Sequence, residues 1–146
     1  MAEKTAHSVT IEAFMYPSED RTKVAKAVSF VVPGAKIHDE SVESYYGPPI
    51  IRMSAVIRKP KEVSAALDHI ANGLSDEDRR EVIGSINDRL DKEGNFYIRF
   101  SKQDAHDERL VVQYKGDVIK LVVKMVGYPY KRENAKKDLV KIFEKN

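Results

Sequence analysis

Residues 96–126 read FYIRFSKQDAHDERLVVQYKGDVIKLVVKMV, and this stretch decides the fold class. Over 96–101 apolar and polar side chains alternate. A strand sends successive side chains to opposite faces, so Phe96, Ile98 and Phe100 point to a core and Tyr97, Arg99 and Ser101 away from it. Residues 118–126 repeat the pattern. Ile119, Leu121, Val123 and Met125 face inward, and Lys120 and Lys124 face outward beside Val118 and Val122. Residues 109–114 (RLVVQY) predict a further strand, joined to 118–126 by a hairpin turn at Lys115-Gly116-Asp117. The polar run 102–107 (KQDAHD) predicts a loop or a single helical turn. With no helix between these strands, a mixed or mainly antiparallel sheet fits better than a doubly wound parallel one.

The rest of the chain supplies the other strands and the helices. Residues 7–16 predict a strand with Val9, Ile11 and Ala13 on one face, ended by Pro17. Ser18 reads as the N-cap of a first helix, with Glu19 and Asp20 in its first turn and Val24, Ala27, Val28 and Val31 as its apolar stripe. Residues 37–46, with Ile37, Val42, Tyr45 and Tyr46, predict a short edge strand. Gly47-Pro48-Pro49 links it to a strand over 50–58, where Ile51, Met53, Ala55 and Ile57 oppose Ile50, Arg52, Ser54, Val56 and Arg58. Pro60 suits a helix start, predicting a helix over 61–73. Ser75 with Asp78 resembles a capping box and opens a helix over 76–91. A final helix over 133–145 buries Ala135, Leu139, Ile142 and Phe143 and carries lysines on its other face. The order β-α-β-β-α-α-β-β-β-α predicts one α+β domain spanning 1–146, a mainly antiparallel sheet with helices packed on one face and the other face partly open.

Composition bounds the chemistry. A chain of 146 residues buries roughly 68% of its unfolded surface and needs no disulfide or metal to fold. With no cysteine, thiol catalysis, iron–sulfur clusters and cysteine-ligated zinc are excluded. No apolar run approaches the ~20 residues of a membrane span, and MAEKTAHS lacks a signal-peptide core, which together predict a cytoplasmic protein without a membrane partner. The net charge of +2 hides an asymmetry: residues 1–95 hold 13 basic and 16 acidic side chains, and residues 96–146 hold 12 and 7. The basic half points to a phosphate-bearing partner.

The outward sheet face is the candidate surface. Arg52 and Arg58 share one strand, Tyr97 and Arg99 another, and Lys120 and Lys124 a third. The cations would contact phosphates and Tyr97 would stack on an unpaired base. The polar segment after residue 101 adds Lys102 and Arg109 for phosphates, Gln103 for a base edge or ribose hydroxyl, and His106 beside Asp104 and Asp107. Its plain alternative is an exposed turn bonded to its own backbone. The apolar Ile50, Val56, Val118 and Val122 on the same sheet face keep a homodimer or a protein-docking module as the rival reading. None of His7, His38, His69 and His106 forms HExxH or a metal-site spacing, and His69 reads as solvent-exposed. The carboxylates cluster at helix starts, and no GxSxG, P-loop or dinucleotide fingerprint occurs. The expectation is a non-enzymatic protein with no catalytic residues, metal or cofactor.

Residues 96–109 also resemble a small archaeal family described as RNA-binding and as a predicted exosome subunit. Its Phe-Tyr-x-Arg-Phe strand, Lys-Gln pair and alanine are matched by Phe96, Tyr97, Arg99, Phe100, Lys102, Gln103 and Ala105. His106 takes an aromatic position, and Glu108 stands where glycine is usual. If glycine serves a positive φ there, Glu108 must use another conformation. Tyr16-Pro17-Ser18-Glu19-Asp20, Gly47-Pro48-Pro49-Ile50, Asp117-Val118-Ile119 and Tyr128-Pro129-Tyr130-Lys131-Arg132-Glu133 resemble further family segments, so the likeness covers most of the chain. The resemblance implies a ribosomal-protein-L5-like fold, similar to the ribosomal protein that binds the smallest ribosomal RNA. It also implies an accessory role in RNA processing or a ribonucleoprotein assembly, on RNA with unpaired or irregular regions.

Overall fold

The computed structural model describes residues 6–42, 47–126 and 130–144. Among them, five strands build one antiparallel sheet: β1 (Ala6–Met15), β2 (His38–Val42), β3 (Ile50–Ile57), β4 (Asn95–Ser101) and β5 (Val118–Met125). The order across the sheet is β2-β3-β1-β5-β4. The helices are α1 (Arg21–Val31), α2 (Pro60–Gly73), α3 (Asp76–Gly84), α4 (Ile86–Arg89), α5 (Lys102–His106) and α6 (Arg132–Phe143). Tyr45 and Tyr46 of the expected edge strand, and the expected break at Gly127, Tyr128 and Pro129, lie outside the described residues.

Alternation places the core where expected. Val9, Ile11, Met53, Phe96, Ile98, Phe100, Ile119, Leu121 and Val123 are buried on one sheet face, packed on Val28, Ile70, Leu139 and Phe143 from the helices. Each such side chain contributes about 1.5–3 kcal/mol on leaving water. On the opposite face, pairing sets the register. Glu12 lies opposite Ser54 on one side and Lys120 on the other, and Lys120 lies opposite Arg99. The next row runs Val56, Thr10, Val122, Tyr97.

Five local expectations are corrected. The N-cap of α1 is Asp20, whose carboxylate accepts the Thr22 N–H at 2.9 Å; Ser18 and Glu19 belong to the preceding turn. The helix expected over 76–91 is two helices, broken at Gly84-Ser85. There the Ser85 hydroxyl donates back to the Glu81 carbonyl at 2.8 Å, a bond that competes with the helix ladder. Ser75 caps α3 through the Asp78 N–H, but the Asp78 carboxylate accepts the Val112 N–H instead of returning to Ser75. Finally, 109–114 is not the hairpin partner of β5. Both edges of β5 are taken by β1 and β4, and 109–114 runs along the outer edge of β4, with Ser101 N–H donating to Val111 and Gln113 N–H to Arg99. His69 is also less exposed than expected: its Nε2 lies 2.7 Å from the Phe30 carbonyl and its ring meets Phe30 edge-on.

Glu108 does not avoid the glycine conformation; it adopts it, with φ +62°. The reason is the end of α5. Glu108 N–H donates to Ala105 O and Arg109 N–H to Asp104 O, the paired closure that needs a left-handed residue between them. A side chain there costs about 1–2 kcal/mol, against roughly 0.5–1 kcal/mol for glycine's extra freedom when unfolded. Glu108→Gly is therefore expected to raise stability by about 1 kcal/mol, read as a higher urea midpoint with unchanged m-value; a lower midpoint would show that the Glu108 side chain supports the turn.

Candidate nucleic-acid interface

The ten residues singled out from sequence divide between two places. Arg52, Tyr97, Arg99, Lys120 and Lys124 lie on the open sheet face, and Arg58 follows just beyond β3. Lys102, Gln103, His106 and Arg109 belong to α5 and its exit. A helix starting at Lys102 abolishes strand alternation, so sheet and loop do not merge into one patch.

The cations of the open face are unequal. Arg52 is occupied, with Nη2 2.8 Å from Glu40 and Nη1 3.7 Å from Glu12. Lys120 reaches the same Glu12 at 4.0 Å. Arg99, Lys124 and Arg58 are exposed and make no ion pair among the described residues. Arg99 and Lys120 stand directly opposite each other, a like-charge cross-strand pair that costs stability without an anion between or above them. Tyr97 is half-buried in the next row, and its hydroxyl donates to Asp91 at 3.1 Å, which fixes the ring. Burial, then the bond and charge of Asp91, push its phenol above the usual range. Asp91 also accepts the Glu93 and Asn95 N–H groups. Burial pushes its carboxyl up, but these bonds outweigh it, so Asp91 is held below the usual carboxylate range.

Lys102 is not a free phosphate contact. Its side chain is 6% exposed, and its three N–H donors meet three acceptors: Phe14 O at 2.8 Å, Glu19 Oε1 at 2.8 Å and Asp117 Oδ2 at 2.9 Å. The ammonium also lies 5.3 Å from the centre of the Tyr16 ring. Arg109 is exposed but neutralised, donating to Asp104 at 2.9 Å. Hydrogen bonds from Ser101 and Arg109 hold the Asp104 carboxyl below its usual range. His106 Nδ1 and Gln103 Nε2 make only long contacts to Asp107, each 3.4 Å.

Gln103 and His106 instead line a cleft of about 460 Å³ between the turn before α1, α5 and the entry to β5. Val24 and Ala27 of α1 and the buried Lys102 also border it. Sequence reasoning missed its other members, Ser18, Lys23, Gln113 and Asp117. It also explained Glu19 by the helix dipole alone, whereas Glu19 joins α5 to the turn: its carboxylate accepts both the Tyr16 N–H at 2.9 Å and Lys102. The Tyr16-Pro17-Ser18-Glu19-Asp20 segment quoted above is the one sequence signal that pointed at this wall.

Comparison with known proteins corrects two expectations. A family model described as RNA binding matches residues 8–125. The RNA-binding protein PAB1135 of Pyrococcus abyssi is 32% identical over 135 residues, covering 88% of this chain and 87% of that protein. Mth689 of Methanothermobacter thermautotrophicus, a DUF54 protein of solved structure, is 29% identical, with a TM-score of 0.82 over 95% of this chain and 98% of that one. Protein AF2318 from Archaeglobus fulgidus, also DUF54, is 25% identical, with a TM-score of 0.84 over 94% and 99%. These end-to-end matches overturn the ribosomal-protein-L5-like fold: the architecture is that of the DUF54 proteins. They carry no link to an exosome, so that designation falls too. A short local motif names a strand and a turn, but strand order is a property of the whole chain. With the RNA-binding model spanning nearly all of β1 through the last residue of β5, the chain belongs to that RNA-binding family of archaeal relatives.

Proposed function

We propose that the protein is a non-enzymatic RNA-binding protein, an accessory factor in RNA processing or ribonucleoprotein assembly, which holds RNA phosphates along the β4–β5 half of its open sheet face. The observation that carries this reading is the Arg99–Lys120 pair, two cations in direct cross-strand register with only the distant Glu12 to relieve them. A phosphate over that pair removes the repulsion and releases counterions. Lys124 and Arg58 extend the free charge, and Tyr97 offers a ring face between the Arg99 and Asn95 positions of β4. Preference for RNA with unpaired regions over duplex DNA follows, because the cations read no sequence and a ring stacks only on an accessible base.

Binding without cleavage fits the carboxylates nearest the basic loop. Asp104 and Asp107 both face Arg109, at 2.9 Å and 3.9 Å, rather than a shared ion position. Incubation of RNA with the protein and a divalent cation is expected to leave the RNA intact; cleavage lost in Asp104→Ala would contradict this. The binding test is anisotropy of a labelled single-stranded RNA. Arg99→Glu is expected to weaken binding by about tenfold or more, ~1.4 kcal/mol, and Arg109→Glu by less than about twofold, since Arg109 already has its anion. Equal affinity in wild type and Arg99→Glu would move the open face to the rival reading, a protein or dimer contact centred on Val56, which is 43% exposed.

A further inference from the structure

The open sheet face has unequal borders. Along β2, Asp39 and Glu40 already hold Arg21 and Arg52 in ion pairs of 2.6 Å and 2.8 Å. Along the outer side of β4, Arg109 is neutralised by Asp104 at 2.9 Å. Where β1 ends and β5 begins, Lys23, Lys102 and Lys115 are offset one for one by Glu19, Asp20 and Asp117. At the start of β4, the 91–95 turn brings the Asp91 carboxylate to the Tyr97 hydroxyl, with Glu93 near it. The remaining border is where β3 runs into α2. Arg58, Lys59 and Lys61 are all exposed there and make no ion pair among the described residues, against one carboxylate, Glu62.

Strand pairing ties this basic turn to the sheet cations. Ser8 lies opposite Lys124, and Arg58 follows Ile57, which lies opposite Val9. Arg58 therefore stands in the Lys124 row, two strand spacings away, about 10 Å. The residue between them, Ser8, is uncharged and 9% exposed. Lys120 and Lys124 stand about 13 Å apart along β5. The row between them, Val56, Thr10, Val122 and Tyr97, also holds no charge. A polyanion on the Arg99–Lys120 pair thus meets no carboxylate on its way to Arg58.

We infer that single-stranded RNA crosses the open face obliquely, from Arg99 and Lys120 past Lys124 to a second phosphate station made by Arg58, Lys59 and Lys61. This rests on the RNA-binding reading and extends it, because it fixes where the RNA leaves the sheet. The cations at both ends hold phosphates and read no sequence. The uncharged row between them offers bases only apolar contact and the Tyr97 ring. The length of RNA that spans both stations, rather than its sequence, then sets affinity.

The test measures binding of single-stranded RNAs of about four and about twelve nucleotides at several salt concentrations. Lys59→Ala combined with Lys61→Ala removes the second station; both side chains are exposed, and Lys59 makes no cap bond to α2. Lys137→Ala combined with Lys141→Ala removes the same charge from an exposed face of α6 and serves as the control for net charge. Arg99→Glu serves as the control for the sheet. The station variant is expected to bind the longer RNA about tenfold more weakly, with a salt slope shallower by roughly 1.4. It should also lose most of the affinity that wild type gains on lengthening the RNA, while the α6 variant behaves as wild type. A station variant that matches wild type on the longer RNA, or an α6 variant that loses as much, overturns the second station. The sheet reading then still stands if Arg99→Glu weakens binding. Loss in the station variant with none in Arg99→Glu overturns both the sheet reading and the path, leaving a separate basic site at the start of α2.

Discussion

Lys102→Ala is expected to destabilise the protein by about 3 kcal/mol, the lower end of what breaking a buried ion pair costs. The lower end applies because Asp117 is 50% exposed and recovers solvation, whereas Glu19, at 28%, and the Phe14 carbonyl do not recover it fully. Three elements lose their common anchor at once: β1 through Phe14, the turn before α1 through Glu19 and the entry to β5 through Asp117. Lys102→Met keeps the aliphatic stem and should lose less than alanine, but still most of the effect, because no donor replaces the ammonium. Urea unfolding followed by circular dichroism measures both. A change under 1 kcal/mol in both variants would mean that water replaces the ammonium without loss. The same cluster sets a pH dependence. Burial pushes the Glu19 carboxyl up, but the bonds from Lys102 and the Tyr16 N–H, with the charge of Lys102, outweigh it and leave its pKa below 4.5. The folded state therefore binds this proton less readily than the unfolded chain does. The stabilisation is present above pH 4.5 and is lost as pH falls through the lower folded value.

The second large effect belongs to Arg89, which is buried at the junction of α3, α4 and β4. Its Nε donates to Ser85 Oγ at 2.8 Å, Nη1 to the Tyr97 carbonyl at 3.2 Å, and Nη2 to Glu81 at 3.0 Å and to the Tyr114 hydroxyl at 3.1 Å. Its guanidinium also lies 5.2 Å from the centre of the Tyr114 ring, and Tyr114 bonds Glu81 in turn. Arg89→Ala is expected to cost about 2–4 kcal/mol, discounted from the fully buried case because Glu81 is 40% exposed. Arg89→Lys should recover little, since a point ammonium cannot serve donors spread over a planar fork. The loss is also local. Hydrogen exchange should quicken at Gln113 and Val112, whose N–H groups bond Arg99 and Asp78 while Tyr114 holds the segment down. Unchanged protection there would show that β4 and Asp78 hold this segment without help from Tyr114.

What was legible in the sequence follows a physical rule. β1, β3, β4 and β5 announce themselves because a half-buried strand writes its environment into every second residue, and Pro60 announces α2 because position and residue chemistry coincide. The pairing of 109–114 was misread because alternation reveals a strand-like segment and not its partner, and β5 had two better ones. Lys102 was misread for a related reason. Its partner Glu19 is 83 residues away, and nothing local distinguishes a buried, saturated lysine from a solvated one. Arg99 and Lys102 stand three residues apart, yet the strand ends between them, so one faces solvent and the other the interior. The motif that contains both implied an exosome designation and a ribosomal-protein-L5-like fold, and the end-to-end matches to DUF54 proteins overturn both.

The most direct test of the account is the salt dependence of single-stranded RNA binding. Each phosphate neutralised by a protein cation contributes about −0.7 to the slope of log K against log[salt]. With RNA on the β4–β5 face, Arg99→Ala combined with Lys124→Ala makes that slope shallower by roughly 1.4 and lowers affinity, while Arg109→Ala leaves the slope as it is in wild type. A slope unchanged by the double substitution, or reduced as much by Arg109→Ala, would contradict the placement of RNA on the β4–β5 face.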